Sequence, residues 1–348
     1  MADLDSFSKK DTDIIKGIAI LAMILHHTYG NDPASSIFQM GNVSKITWLA
    51  ATGKVCVALF TILSGYGLTK SYNKGFKKQK YYDVKFVLSH YIQFLSIFWT
   101  VLLAMAAIRL CEGEKIIEVY GSGAKRFFCF FIEILGLRTI FHTPSINTSW
   151  FVTAIIILYF LFPLIYRLVK KFPIISLFFS YIPWIIYIIK GDTNMHTDWW
   201  LFYLFSFALG IFISEKDLLD KQIQSERNIR NIILVIILFV LSFISRLIFA
   251  LPADPVLAIS IIEIEIYILR YIKPVKAFLE MFGRYSAYIW LIHMFIWFRF
   301  YISIYSGLLQ YMIVFLVFCL LSGMALDGLR KELKLDNLVS KTRSKLLM

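Results

Sequence analysis

Ile232-Ile233-Leu234-Val235-Ile236-Ile237-Leu238-Phe239-Val240-Leu241-Ser242-Phe243 is apolar at every position but Ser242, and Tyr311 to Leu321 repeats the pattern near the far end of the chain. A helix that is apolar on all faces needs apolar surroundings. A spanning helix takes roughly 20 mostly apolar residues. Only helices and closed barrels cross lipid, because every backbone polar group must be paired. Barrel strands alternate polar and apolar residues, and these runs do not, so helices are predicted. The whole chain agrees: 59% of its 348 residues are hydrophobic and 17% charged, against roughly 45–50% and 25% in a soluble domain.

Working outward from these runs, the fold class is all-α: a polytopic membrane protein forming one domain over residues 1–348. About ten transmembrane helices are predicted, at roughly 14–30, 52–70, 87–110, 150–167, 173–190, 199–214, 231–249, 255–271, 284–304 and 307–327. The apolar stretch 127–141 is short for a span and reads as a re-entrant or interfacial helix. The first apolar segment reads as a permanent span rather than a cleaved leader, because no small-residue cleavage site precedes His26 and His27. With a cytoplasmic N-terminus, 26 of the 36 Lys and Arg residues fall on inner segments, as cytoplasmic loops require. A full crossing by 127–141 would invert this bias, so that stretch is placed on the outer side. The net charge of +13 is then a topology signal that also favours anionic lipid. It is divided among short loops rather than gathered on one domain, which argues against nucleic acid. Cys56, Cys111, Cys129 and Cys319 lack metal-ligand spacing. They read as packing thiols, with a Cys111–Cys129 disulfide as the alternative, and no metal site is expected.

Ionisable groups inside spans are costly and so are functional candidates. Lys16 and His27 lie eleven residues apart, about 20° from one face at 100° per residue and about 16 Å along the axis. Asp13 shares their side of the helix, whereas His26 points about 100° away from His27. His293 lies about 15 Å inside the Gly283–His293 stretch, the depth of His27, so the two could line one cavity, with Ser286 on the His293 face. Histidine titrates near neutrality and is the usual general base. The competing reading is a packing histidine bonded to a neighbouring helix. Glu263 and Glu265 are expected to bridge to Arg246 or Arg299 between helices.

Four motifs in chain order then resemble those of the acyltransferase-3 family of integral membrane acyltransferases. Asp13-Ile14-Ile15-Lys16, ten further residues and His27 is similar to the family's Asp-x-x-Arg…His start, with Lys in place of Arg. Val57-Ala58-Leu59-Phe60-Thr61-Ile62-Leu63-Ser64-Gly65-Tyr66 resembles its Phe…Ser-Gly-aromatic span. Trp150-Phe151 with Tyr159 and Pro163 resembles its Trp-Phe span, and Gly283 to His293 its Gly-Lys-x-Ser…His span. The family's Arg-x-x-Arg element is replaced by lysines at 74, 77, 78, 80 and 85.

The resemblance implies an O-acyltransferase of the cell membrane, with both termini cytoplasmic. Its donor would be acyl-CoA, with acetyl-CoA expected, and no cofactor would be bound permanently. Its acceptor would be a cell-surface or lipid-linked glycan. His27 would be the base, and Asp13 would hold Lys16 or a ring nitrogen. Lys16 with Lys77, Lys78 and Lys85 would meet the CoA phosphates. Ser64, Tyr66, Trp150 and His293 would shape the cavity. A multi-pass transporter or flippase, using the same buried ions for translocation, is the alternative reading.

Overall fold

In the computed structural model, residues 6–29, 39–40, 43–75, 81–190, 199–225, 227–300 and 308–347 are described. The main helices are α1 (Lys9–Tyr29), α2 (Val55–Lys74), α3 (Tyr82–Cys111), α4 (Gly123–Ile134), α5 (Phe151–Lys171), α6 (Pro173–Lys190), α7 (Leu204–Glu215), α8 (Ile229–Phe249), α9 (Asp254–Tyr267), α10 (Lys273–Arg284), α11 (Ser286–Phe300), α12 (Leu308–Glu332) and α13 (Leu335–Leu347). The strands among the described residues are the two-residue pair Gln39–Met40 and Val43–Ser44.

Among the described residues, each of the ten expected spans overlaps a helix, but only six helices there are long and apolar enough to cross a membrane: Leu49–Lys74, Tyr82–Cys111, Phe151–Lys171, Pro173–Lys190, Ile229–Phe249 and Gln310–Glu332. The others have physical reasons to fall short. Asp11, Asp13, Lys16, His26 and His27 dilute the apolarity of α1. Helix α9 has 14 residues, or about 21 Å of rise, against a hydrocarbon core of about 30 Å. The 127–141 stretch is likewise too short: α4 has 12 residues.

Burial shows which helices are central. The Leu49–Lys74 span is 67% buried, whereas Pro173–Lys190 and Ile229–Phe249 are 11% and 17% buried and present their apolar faces outward. Helix α1 buries Ile14, Ile15, Ala19, Ile20, Met23 and Ile24 in the interior. Its start is set by a reciprocal cap: Asp11 N–H donates to Ser8 Oγ at 3.3 Å and Ser8 N–H donates to Asp11 Oδ2 at 2.7 Å, satisfying two backbone donors at once.

Glycines set the two closest crossings. A Cβ on Gly17 would stand 2.1 Å from Leu279 O, and one on Gly283 1.7 Å from Asp13 O. Helices α1 and α10 therefore touch backbone to backbone. Helices α2 and α7 do the same, with Gly65 against Phe207 O at 2.2 Å and Gly210 against Ile62 O at 2.1 Å. Small residues permit such approaches where lipid supplies no hydrophobic drive between helices.

The expected acid pairings are corrected. Arg246 pairs with Asp254, and Arg299 with Glu112 and, at 3.1 Å, Glu114. Glu263 accepts from Gln222, and Glu265 lies fully buried. Spacing placed Arg246 and Arg299 on helices but not the rotations that choose partners; Glu112 and Glu114, just after α3, and Asp254, which opens α9, lie nearer. All four cysteines are free thiols, three of them buried, so Cys111 and Cys129 are not joined.

Candidate functional site

Residues 50–54, just ahead of α2, form the floor of a chamber. His26 Nδ1 stands 3.3 Å from Ala50 O; a carbonyl only accepts, so that nitrogen carries the proton. Arg246, itself held by Asp254, donates to Ala51 O at 3.0 Å. Two backbone carbonyls are thereby fixed, and the turn Thr52–Lys54 that follows is held in place. Gly53 lets this turn press against α1, since a Cβ there would stand 2.2 Å from Ala22 O.

Above this floor the rings of His27 and His293 meet with centroids 4.8 Å apart, and those of His26 and His27 with centroids 5.1 Å apart. His293 Nδ1 donates to Trp290 O at 2.6 Å. Its Nε2 is buried without a hydrogen-bond partner and so presents a lone pair. The three histidines, Lys54, Thr148, Ser149 and Trp150 line a cavity of about 340 Å³.

A second cavity, of about 450 Å³, lies toward the other end of α1. Lys16, Thr12, Ser64, His90, Gln93, Tyr159 and Ser286 line it. Lys16 Nζ stands 3.6 Å from Asp13 Oδ1. His90 donates Nδ1–H to Phe86 O at 2.9 Å, which leaves its Nε2 as an acceptor. Phe60, Phe151 and Trp290 line both cavities. The Trp290 ring lies 5.3 Å from Phe151 and 6.5 Å from Phe60, centroid to centroid. These three aromatic residues are thus a wall common to the chamber of His26, His27 and His293 and the chamber lined by Lys16.

The structure brings together most of the residues singled out in the sequence. His27, His293 and Trp150 share the histidine chamber; Lys16 and Ser64 share the lysine chamber, with Asp13 against Lys16. Tyr66 lines neither: its ring meets Phe7 at 5.3 Å and Lys70 at 5.7 Å, because its turn of α2 faces the N-terminal segment. His26 differs from expectation in lining the chamber beside His27, since a cavity this wide spans more than one stripe of α1. Lys85 is half-buried and lines neither chamber; Lys77 and Lys78 lie outside the described residues.

Sequence reasoning missed Lys54, His90, Gln93 and Trp290. Lys54 carried a signal, as a lone cation opening an apolar span. His90 and Gln93 are polar residues three apart within another span, hence on one face. Among the described residues, no three His, Cys, Asp or Glu side chains group as metal ligands would.

The sequence pattern of a family described as "Acyltransferase domain" matches residues 10–326. The chain belongs to the acyltransferase-3 family. The match covers both chambers and every helix from α1 to α11. No curated protein and no solved structure matches the chain. Family and apolar helices together identify a membrane acyltransferase.

Proposed function

We propose that this membrane acyltransferase moves an acyl group, expected to be acetyl, from acyl-CoA to a hydroxyl of a cell-surface or lipid-linked glycan. The observation that carries the reading is the pair of chambers meeting at Phe60, Phe151 and Trp290, one beside Lys16 and one around His27 and His293. The positive-inside bias of the loops supports a cytoplasmic Lys16 end, on the side where acyl-CoA is made, with both termini there as well. Lys16, with Lys77, Lys78 and Lys85 beyond it, attracts the CoA phosphates as point charges. The amide-bearing arm of CoA enters the lysine chamber, where His90 Nε2 and Gln93 offer partners to amides.

In the histidine chamber, His27 takes the proton of the acceptor hydroxyl as the oxygen attacks the thioester carbonyl. The carbon–sulfur bond breaks, and the proton passes from the imidazolium to the leaving CoA thiolate. The products are the ester and free CoA. Lys54, which lines the same chamber, supplies a positive charge for the developing oxyanion. His293, with its Nδ1 occupied by Trp290 O, packs its ring against that of His27 and keeps its Nε2 as an acceptor.

Purified membranes supplied with isotope-labelled acyl-CoA and the glycan made by the producing cell are expected to release CoA and label the glycan in equal amounts. Glycan movement across the membrane without any label would replace acyl transfer with the transport reading.

A further inference from the structure

The segment between α3 and α5 carries an exposed aromatic run, with Phe127, Phe128, Phe130 and Phe131 turned outward. One charged side chain in the same run turns inward with Cys129 and Ile132: Glu133 is 1% exposed, one helical turn from the fully buried Cys129. A buried carboxylate is costly unless charge-assisted hydrogen bonds compensate it. Three do. Glu133 Oε1 accepts from Asn147 N–H at 2.7 Å, and Oε2 accepts from Ile146 N–H at 3.0 Å and from Tyr120 O–H at 2.6 Å.

The residue so held is a bridge. Asn147 Oδ1 accepts from Ser149 N–H at 2.8 Å, and Asn147 Nδ2 donates to Leu291 O at 3.2 Å. Thr148, Ser149 and Trp150 are wall residues of the histidine chamber. Leu291 follows Trp290 and stands two residues before His293. One carboxylate therefore fastens the loop that walls the chamber to the helix that carries its second histidine.

We propose that Glu133 is a positioning residue for acyl transfer: through Asn147 it fixes the Thr148–Trp150 wall against the His293 helix, and so sets where the acceptor hydroxyl sits relative to His27. The inference rests on the acyl-transfer reading and adds to it a residue far from the lysine chamber, whose effect falls on the acceptor side alone. Misplacing a reacting group by about 1 Å can cost ~10²-fold in rate, so the effect is readable in kinetics.

The experiment compares Glu133→Ala, Glu133→Gln, Asn147→Ala and Trp99→Phe in purified membranes, varying acyl-CoA and acceptor separately. Asn147→Ala keeps its backbone bond to Glu133 and removes only the bridge. Glu133→Gln retains an oxygen for Asn147 N–H and is the conservative rescue. Trp99→Phe removes a different tether of the same segment, the bond from Trp99 Nε1 to Ile134 O at 2.7 Å. Glu133→Ala and Asn147→Ala are expected to lower kcat/KM for the acceptor by ~10- to 100-fold while KM for acyl-CoA stays at the wild-type value. Glu133→Gln recovers most of that loss, and Trp99→Phe matches wild type. Equal losses toward both substrates, or failure of both alanine variants to accumulate as folded protein, would make the network a structural anchor alone and overturn the proposal. Variants that match an active wild type would remove this inference only, whereas an inactive wild type would remove the acyl-transfer reading with it.

Discussion

His27 is the residue on which the proposed chemistry turns. It shares the Lys16 face of α1, and its ring meets that of His293. Losing a general base costs roughly 10²–10⁴-fold in rate. His27→Ala is therefore expected to insert normally and to transfer acyl groups at least ~100-fold more slowly, as measured with labelled acyl-CoA in membranes containing equal amounts of protein. His26 is engaged with Ala50 O, and His26→Gln is expected to keep most of the rate in the same assay. Comparable rates from His27→Ala and wild type would remove His27 from the mechanism. Arg246 and Asp254 call for a different measurement. Their side chains are 7% and 10% exposed, so Arg246→Met strands a buried carboxylate. A cost of about 3–5 kcal/mol is expected, read as a lower thermal midpoint in detergent. Arg246→Met combined with Asp254→Leu is expected to cost less than the sum of the single changes. Strict additivity would show that the pair is not coupled.

At the scale of elements, the crossing of α1 with α10 carries both ends of the site. Asp13, Lys16 and Gly17 lie on one helix; Gly283 lies in the last turn of the other, which leads through Tyr285 into α11 with Ser286, Trp290 and His293. A displaced crossing would move Lys16 and the His293 helix relative to each other. Gly283→Val places a Cβ where Asp13 O now stands. Overpacking of this kind costs about 1–3 kcal/mol, so a lower thermal midpoint is expected together with reduced transfer. Gly328 has open space at its Cβ position, and Gly328→Ala serves as the control that should leave both unchanged. A Gly283→Val protein with the wild-type midpoint would contradict the backbone contact.

The whole molecule is arranged around direction. Helix α3 has 30 residues, or about 45 Å of rise, more than the roughly 30 Å of a hydrocarbon core. The excess stands outside lipid, and α13 packs along α3, fastened by Arg330, which donates to Ser96 O at 2.8 Å and to Asp336 Oδ1 at 2.6 Å. In the proposed orientation that packing is cytoplasmic. With Cys111 replaced by Ser, a single cysteine at Asn73 is expected to resist a membrane-impermeant thiol reagent in intact cells. One at Lys125, ahead of the aromatic run of α4, should react. The opposite labelling would put the lysine chamber outside and remove the cytoplasmic donor from the proposal. The equivalent position at Gly41, in the connection after α1, lies outside the described residues and is expected to react as Lys125 does.

The sequence by itself determined that the chain is helical and lives in lipid, because the period and length of apolar runs are local properties. It also placed Lys16 and His27 on one stripe, because a helix converts spacing into angle. Motif order was enough to indicate the family. What it could not determine were relations between helices. Arg246 chose Asp254 over Glu263 or Glu265, and Tyr66 turned toward Phe7, through rotations and distances that no single helix encodes. The division of one expected cavity into two chambers at Trp290 arises from three aromatic residues far apart in sequence. The inward turn of Glu133 onto Ile146 and Asn147 was likewise invisible, since a lone acid in an aromatic run reads as a solvated edge. Only packing, which decides which buried groups find partners, made it the fastening of the histidine chamber.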